Sequence, residues 1–215
     1  MNQRILILGA TSDIAQAVAA ELARRGDRLV LATRDMEECE RIGQDLRTRH
    51  NANVSCVHFD ALHFASHQAT FDQAIEIADG ELTGVIVCHG LLGDQQEAAL
   101  DFDKARAIID VNYTSFVSVL NIAAEYFESR RGSFICAIGS VAGDRGRQSN
   151  YLYGSSKAAL ATYMQGLRNR MHDSGVAVIT IKPGFVDTKM TQHLGRGRLV
   201  VPPGTVARDI VKAIR

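Results

Sequence analysis

The chain has 215 residues, 46% of them apolar, and its 24 Lys and Arg balance its 24 Asp and Glu. That length and composition fit a single globular domain over residues 1–215 with a sizeable core, and they exclude a disordered chain. Zero formal net charge gives no footing for a nucleic-acid partner.

Cys39, Cys56, Cys88 and Cys136 lie far apart, three of them in apolar strand-like runs. They read as reduced core residues of a cytoplasmic protein rather than a disulfide or zinc set. The apolar run Arg4-Ile-Leu-Ile-Leu8 is too short for a signal peptide, and no stretch is expected to span a bilayer.

Taken in order, Arg4 to Leu8 is a first buried strand. Gly9-Ala-Thr-Ser-Asp13-Ile14-Ala15 then turns into a helix with Ile14, Val18, Ala19 and Leu22 on one face, stopped at Arg25-Gly26. A strand, a small-residue turn and a helix start make an anion site from backbone N–H groups. Arg28 to Thr33 is the second strand. An acid at its end would take the ribose hydroxyls of NAD, whereas Arg34 would pair with the 2′-phosphate of NADP. Asp35 is the competing acid, one residue on. We favour NADP(H).

A polar helix is expected over 36–50, a strand over 53–59 ending at Asp60-Ala61, and a helix over 64–78. His58, His63 and His67 fall close in sequence, but the strand-to-helix bend scatters them and no metal is expected. Gly84 to Gly90 forms the fourth strand, with Cys88, His89 and Gly90 at its end. A loop follows over 91–98, then a long helical region over 100–130 that contains Asn112. The fifth strand, 132–138, leads to Ser140. A helix from Tyr153 to about His172 and a sixth strand, Ala177 to Ile181, follow. Lys182-Pro183-Gly184-Phe-Val-Asp-Thr188 is then a rigid turn. Residues 195–198 are loop-like, and Pro202-Pro203-Gly204 precedes a short closing helix ending at Arg215. This alternation predicts an α/β fold of the Rossmann type: a doubly wound parallel sheet in three α/β/α layers.

Tyr153 and Lys157 are four residues apart, so a helix puts both on one face. A free phenol has a pKa near ~10 and is a poor acid or base at neutral pH. A neighbouring ammonium is expected to pull it down towards the working range. With the Ser140 hydroxyl at a strand's carboxyl end, the trio could pass a proton to or from a carbonyl or alcohol oxygen. That is half of a hydride transfer; a nicotinamide would supply the other half. On spacing alone, an ordinary exposed helix pair remains open.

Together these residues resemble one family, the short-chain dehydrogenase/reductases, over nearly the whole chain. The matches are the Gly9 turn, Asp60-Ala61, the strand ending at Gly90, Asn112, Ser140, Tyr153-xxx-Lys157, and Pro183-Gly184 with Thr188. The resemblance implies that Tyr153 is the general acid or base and that Lys157 lowers its pKa and binds the nicotinamide ribose. It implies that Ser140 orients the substrate oxygen and that Asn112 holds a relay water. Gly9, Ser12 and Ile14 would line the pyrophosphate, Asp60 and Ala61 the adenine, and Thr188 the carboxamide. Thr11, Asp13, Thr33, Arg34, His89, Gly90, Pro183, Gly184 and Val186 would complete the dinucleotide site. A small-molecule carbonyl or alcohol is the implied partner, and a homodimer packed through the Asn112 and Tyr153 helices the expected assembly.

Asp13 and Ala15 stand where the family has its second and third glycines, and Asp13 is expected to turn away and cap the helix. Cys88-His89-Gly90 replaces Asn-Ala-Gly, and no glycine-rich closing strand is recognisable. The stretch from Ser140 through Tyr153, with Gly90-Leu-Leu-Gly-Asp94, is similar to a branch that includes decaprenylphosphoryl 2-keto-ribose reductases. That branch implies a keto sugar on a lipid phosphate, with Arg145 and Arg147 near a phosphate. Two other readings stay open: a nucleotide-sensing binding protein on this fold, and an NAD-linked alcohol dehydrogenase.

Overall fold

The computed structural model describes residues 2–192 and 199–214. The expected loop at 195–198 lies outside them. Six parallel strands run β1 (Arg4–Leu8), β2 (Arg28–Thr33), β3 (Val54–His58), β4 (Gly84–Val87), β5 (Phe134–Ile138) and β6 (Ala177–Ile181). Their order across the sheet is β3-β2-β1-β4-β5-β6. The chain builds outward from β1 to β3, then returns beside β1 and builds the other way. The reversal between β1 and β4 opens a crevice at their carboxyl ends, where such sheets take ligands.

The central strands are buried on both faces, as their unbroken apolar runs require. Along β1, Ile5 and Ile7 face a layer made by α1 (Asp13–Arg24), α2 (Met36–His50) and α8 (Pro203–Ala213). Leu6 and Leu8 face the opposite layer, made by α3 (His67–Ile77), α6 (Ser115–Phe127) and α7 (Tyr151–Arg170). The three-layer expectation therefore holds. The four cysteines are free thiols, and Cys39, Cys88 and Cys136 are buried.

The expected helical region over 100–130 is found as Phe102–Phe127, interrupted by a π-turn and preceded by a separate short helix. Helix α4 (Gln95–Leu100) starts inside the segment expected to be loop, because Asp94 accepts from the Gln96 and Glu97 amides. Asp101 then breaks and restarts the helix, capping α5 (Phe102–Ile109) through the Asp103 and Lys104 amides. A π-turn, Asp110–Thr114, joins α5 to α6. Its extra residue per turn swings Asn112 inward, where it is fully buried.

A second correction concerns the bilayer. The span Phe102–Phe127 is long and apolar enough to cross one by length and composition. Here that apolarity serves the core: Phe116, Leu120 and Phe127 are fully buried against the sheet.

Gly84 sits opposite Phe134 in the β4–β5 register, and an added Cβ would fall 2.1 Å from the Phe134 ring. Gly84→Ala is expected to cost about 1–3 kcal/mol by overpacking, measured by denaturant unfolding.

Candidate active site

Gly9 leaves β1 with φ +77°, and a side chain there would strike the His89 backbone at 2.5 Å. Glycine is thus required both by the left-handed turn and by the close approach of β1 and β4. The turn leads into α1, whose cap is Ser12: its Oγ accepts from the Ala15 amide at 3.2 Å. The expectation that Asp13 caps the helix is overturned. Ser12 already occupies the extended cap position, so Asp13 lies one residue inside the helix. Its Oδ2 reaches outward and accepts from the Lys189 amide at 2.7 Å. The first-turn amides of α1 remain without intrahelical acceptors, the usual condition for holding an anion.

At the end of β2, the Thr33 and Thr11 hydroxyls are 3.3 Å apart. Arg34 is exposed, with no ion-pair partner among the described residues. Asp35, the competing acid, caps α2 through the Glu38 amide. Asp60 orders its own turn through the Leu62 amide, and its carbonyl meets the buried His67 ring, whose other nitrogen lies 2.9 Å from Ser118 Oγ. Among the described residues, no group of three or more His, Cys, Asp or Glu is placed to hold a metal ion.

His89 packs beside Phe116 and Phe59. Ser115 donates to the Val111 carbonyl, so the 2.7 Å contact with His89 Nε2 requires the ring to donate. The remaining nitrogen, Nδ1, is buried without a partner. Burial, aided by the Lys157 charge, pushes the His89 pKa down to about 3. His89 is neutral at physiological pH.

Ser140 closes β5 and caps a short 3₁₀ turn, accepting from the Ala142 amide. Gly139 N–H donates to Ile181 O and Val141 N–H to Pro183 O, which ties this edge to β6. Helix α7 brings in Tyr153 and Lys157. The Tyr153 phenol hydrogen-bonds Ser140, which lowers its pKa, but burial is the larger effect and the net shift is upward. Lys157 does not bring it down as expected: its Nζ, 5.8 Å from the Tyr153 ring centroid, donates to the Ile138 carbonyl, and burial prevails. Lys157 is 3% exposed; its Nζ donates to Ile138 O at 3.0 Å and sits 4.7 Å from the Phe116 ring centroid. Desolvation brings that ammonium down to about 7.

Asn112 lies beneath this surface. Its Oδ1 accepts from Leu91 N, and its Nδ2 donates to Leu91 O and Ile108 O. The carboxamide is thus committed to the backbone of the Gly90–Leu91 segment.

All the sequence-predicted dinucleotide residues, with Ser140, border one cavity of about 860 Å³ running from Arg34 to Tyr153. Asn112 alone among the predicted site residues does not. Gln95, Asn150 and Met190, which sequence reasoning did not single out, line the same cavity. The Gly93-Asp94 turn-and-cap signature was the available signal for Gln95. A dinucleotide fits the residues present. The cavity has amide donors at its middle and an unpaired guanidinium at one end. At the other, Lys157 donates to one acceptor among the described residues, Ile138 O.

A family model described as short chain dehydrogenase matches residues 3–198. An oxidoreductase of Streptomyces coelicolor, described as uncharacterized, is 35% identical over 98% of this chain and 83% of its own. Among solved structures, an actinorhodin polyketide ketoreductase with NADPH superposes with a TM-score of 0.89 at 20% identity, covering 100% of this chain and 92% of that one. A short chain dehydrogenase from Burkholderia cenocepacia in complex with NADP gives 0.88 at 21% identity, covering 99% and 90%.

The buried ammonium generates a pH signature. Between pH 7 and 10.5 the unfolded Lys157 holds a proton that the folded one has released. Stability therefore rises with pH across that window, and the penalty is full and constant below pH 7. Lys157→Met is expected to stabilise the dinucleotide-free protein most at and below pH 7, with the gain fading towards pH 10.5. Denaturant unfolding at stepped pH values checks this.

Proposed function

Because the chain belongs to the short-chain dehydrogenase family, we propose that this oxidoreductase reduces a carbonyl substrate with NADPH, using Tyr153 as the proton donor. The observation that carries the reading is the Tyr153 phenol, hydrogen-bonded to Ser140 beside the buried Lys157, at the end of a cavity that begins at the Gly9 turn.

Bound NADPH supplies the hydride to the carbonyl carbon. The protein's part is to hold the carbonyl oxygen and give it a proton. The Ser140 and Tyr153 hydroxyls, neighbours in the cavity wall, would turn their protons to that oxygen and polarise it. Burial raises the Tyr153 pKa, so the phenol is protonated at neutral pH and ready to act as an acid. As charge builds on the substrate oxygen, the phenolic proton moves to it. The phenolate left behind is stabilised by the Ser140 hydrogen bond. Lys157, beyond its bond to Ile138 O, would hold the nicotinamide ribose. Run backwards, the same atoms take a proton from an alcohol. Asn112 supports this by fixing the Gly90–Leu91 backbone at the crevice.

The cofactor preference rests on Arg34. It stands at the end of β2 with no acid to oppose a phosphate, since Asp35 is committed to its helix cap. A guanidinium suits the 2′-phosphate of NADPH and gains nothing from the ribose hydroxyl of NADH.

Arg147, Ser149 and Asn150 border the cavity just before Tyr153. This polar wall favours a hydroxylated carbonyl compound such as a keto sugar, in keeping with the resemblance to the decaprenylphosphoryl 2-keto-ribose reductases.

Tyr153→Phe is expected to abolish turnover of any accepted ketone while NADPH still binds, read by fluorescence titration. Joint loss of binding and turnover would instead make the tyrosine structural. Arg34→Ala is expected to weaken NADPH roughly tenfold to a hundredfold, the value of a charge-assisted bond, and to leave NADH nearly unchanged. Equal losses would refute the cofactor preference.

A further inference from the structure

The start of α7 is capped in an unusual way. Asn150 occupies the cap position, yet its side chain makes no cap bond. The orphan amide of Leu152, the residue before Tyr153, donates instead to Gln95 Oε1 at 3.0 Å, across 57 residues of sequence. We propose that Gln95 is a positioning residue for Tyr153, capping the catalytic helix from the cavity wall and setting where the phenol lies. The inference rests on the reading of Tyr153 as proton donor.

Three features support it. First, the orientation of Gln95 is determined. An amide N–H can only donate, so the side-chain oxygen faces Leu152 and the nitrogen faces away. That nitrogen, Nε2, is buried with no partner. An unpaired buried donor costs about 1–3 kcal/mol. Asn150 is of a type that caps as well as Ser or Asp, yet its Oδ1 is left buried without a partner among the described residues. A cap chosen for stability alone would be local.

Second, Gln95 is itself held. It opens α4, whose start is fixed by the two bonds to Asp94. The cap is therefore delivered from a braced element rather than from a free loop. Third, the same unit supports the ring. Ala98, Ala105 and Ile108, on α4 and α5, form a small apolar cluster against which Leu152 and Tyr153 pack. Hydrogen bond and packing together bind the first turn of α7 to α4 and α5.

This has a consequence for catalysis. Leu91 to Gln95 border the same cavity as Ser140 and Tyr153. A ketone pressed against that wall bears on the group that locates the proton donor. Misplacing a reacting group by about 1 Å costs as much as a hundredfold in rate. The Gln95–Leu152 bond thus links recognition of the substrate to placement of the phenol.

The test compares wild type with Gln95→Leu, Gln95→Asn and Gln95→Glu. Leucine keeps the bulk and removes the acceptor. Asparagine draws the acceptor back by one methylene. Glutamate restores the acceptor, and its charge suits a helix start. Each is assayed for single-turnover NADPH oxidation with the ketone that wild type reduces fastest in a panel of α-diketones, β-keto esters and ketoses. NADPH affinity and amide hydrogen exchange at the start of α7 are measured alongside. Gln95→Leu and Gln95→Asn are expected to slow the single-turnover rate roughly tenfold to a hundredfold, with NADPH affinity unchanged and Leu152 exchange accelerated. Gln95→Glu is expected to recover both rate and protection. Either acceptor-loss variant keeping the wild-type rate, or Gln95→Glu failing to recover it, would overturn the proposal. If Gln95→Leu does not fold, the asparagine and glutamate pair still decides. A wild type that binds NADPH but reduces nothing in the panel overturns the functional reading, and this inference with it.

Discussion

An ammonium stripped of its water needs other partners, and Lys157 has few. It reaches one carbonyl, Ile138 O, and lies near two rings, Phe116 and, farther off, Tyr153. Desolvation, the main cause, brings its pKa down to about 7. The site is built around this under-satisfied cation. It ties the end of β5 to α7 and the core of α6, and it lies one helical turn from the phenol. A group that is costly to bury and only partly compensated is poised for a ligand that completes its hydrogen bonds. Ribose hydroxyls at the crevice between β1 and β4 are such a ligand.

The rest of the crevice follows from how closely the strands approach. Gly9 is pressed against the His89 backbone, which leaves room for no side chain. His89 itself is locked into a neutral tautomer by Ser115 and adds no charge beside the cation. Asp13 is the departure with the most visible structural result. A carboxylate beside a site for pyrophosphate is unfavourable in itself. The structure directs it to the Lys189 amide, where it fastens the segment after Pro183-Gly184 to the turn at the start of α1. Two stretches at opposite ends of the chain thereby border the cavity as one surface.

Much of this was legible in the residues. The unbroken apolar runs of β1, β2, β4 and β5 announced a sheet buried on both faces, and their alternation with helices announced its winding. The predicted dinucleotide residues fall on one cavity because most sit just beyond a strand's carboxyl end, a position set by the order of elements, while α1 and α7 bring in Asp13, Ile14, Tyr153 and Lys157. What failed depended on side-chain competition that spacing does not reveal. Ser12 and Asp13 are adjacent capping residues, and only backbone geometry decides which one caps. Asp94 and Asp101 are readable as helix starts, but the first falls in a segment expected to be loop and the second just inside the expected helical region. The effect of Lys157 on Tyr153 was misjudged because proximity along a helix was taken for electrostatic coupling. In the fold, burial outweighs it and the ammonium donates to Ile138 O. Gln95 escaped notice because a cap delivered across 57 residues leaves no local pattern.

The central claim is that a dinucleotide lying along this crevice completes the hydrogen bonds of Lys157 and brings its nicotinamide beside the Tyr153 phenol. A crystal structure of the protein with NADPH tests it most directly. The account requires the Lys157 Nζ to gain a ribose hydroxyl, the Tyr153 oxygen to face the reactive carbon of the ring, and Arg34 to meet the 2′-phosphate. A dinucleotide bound elsewhere, or one that leaves Lys157 on Ile138 O alone with the phenol turned from the ring, would contradict it.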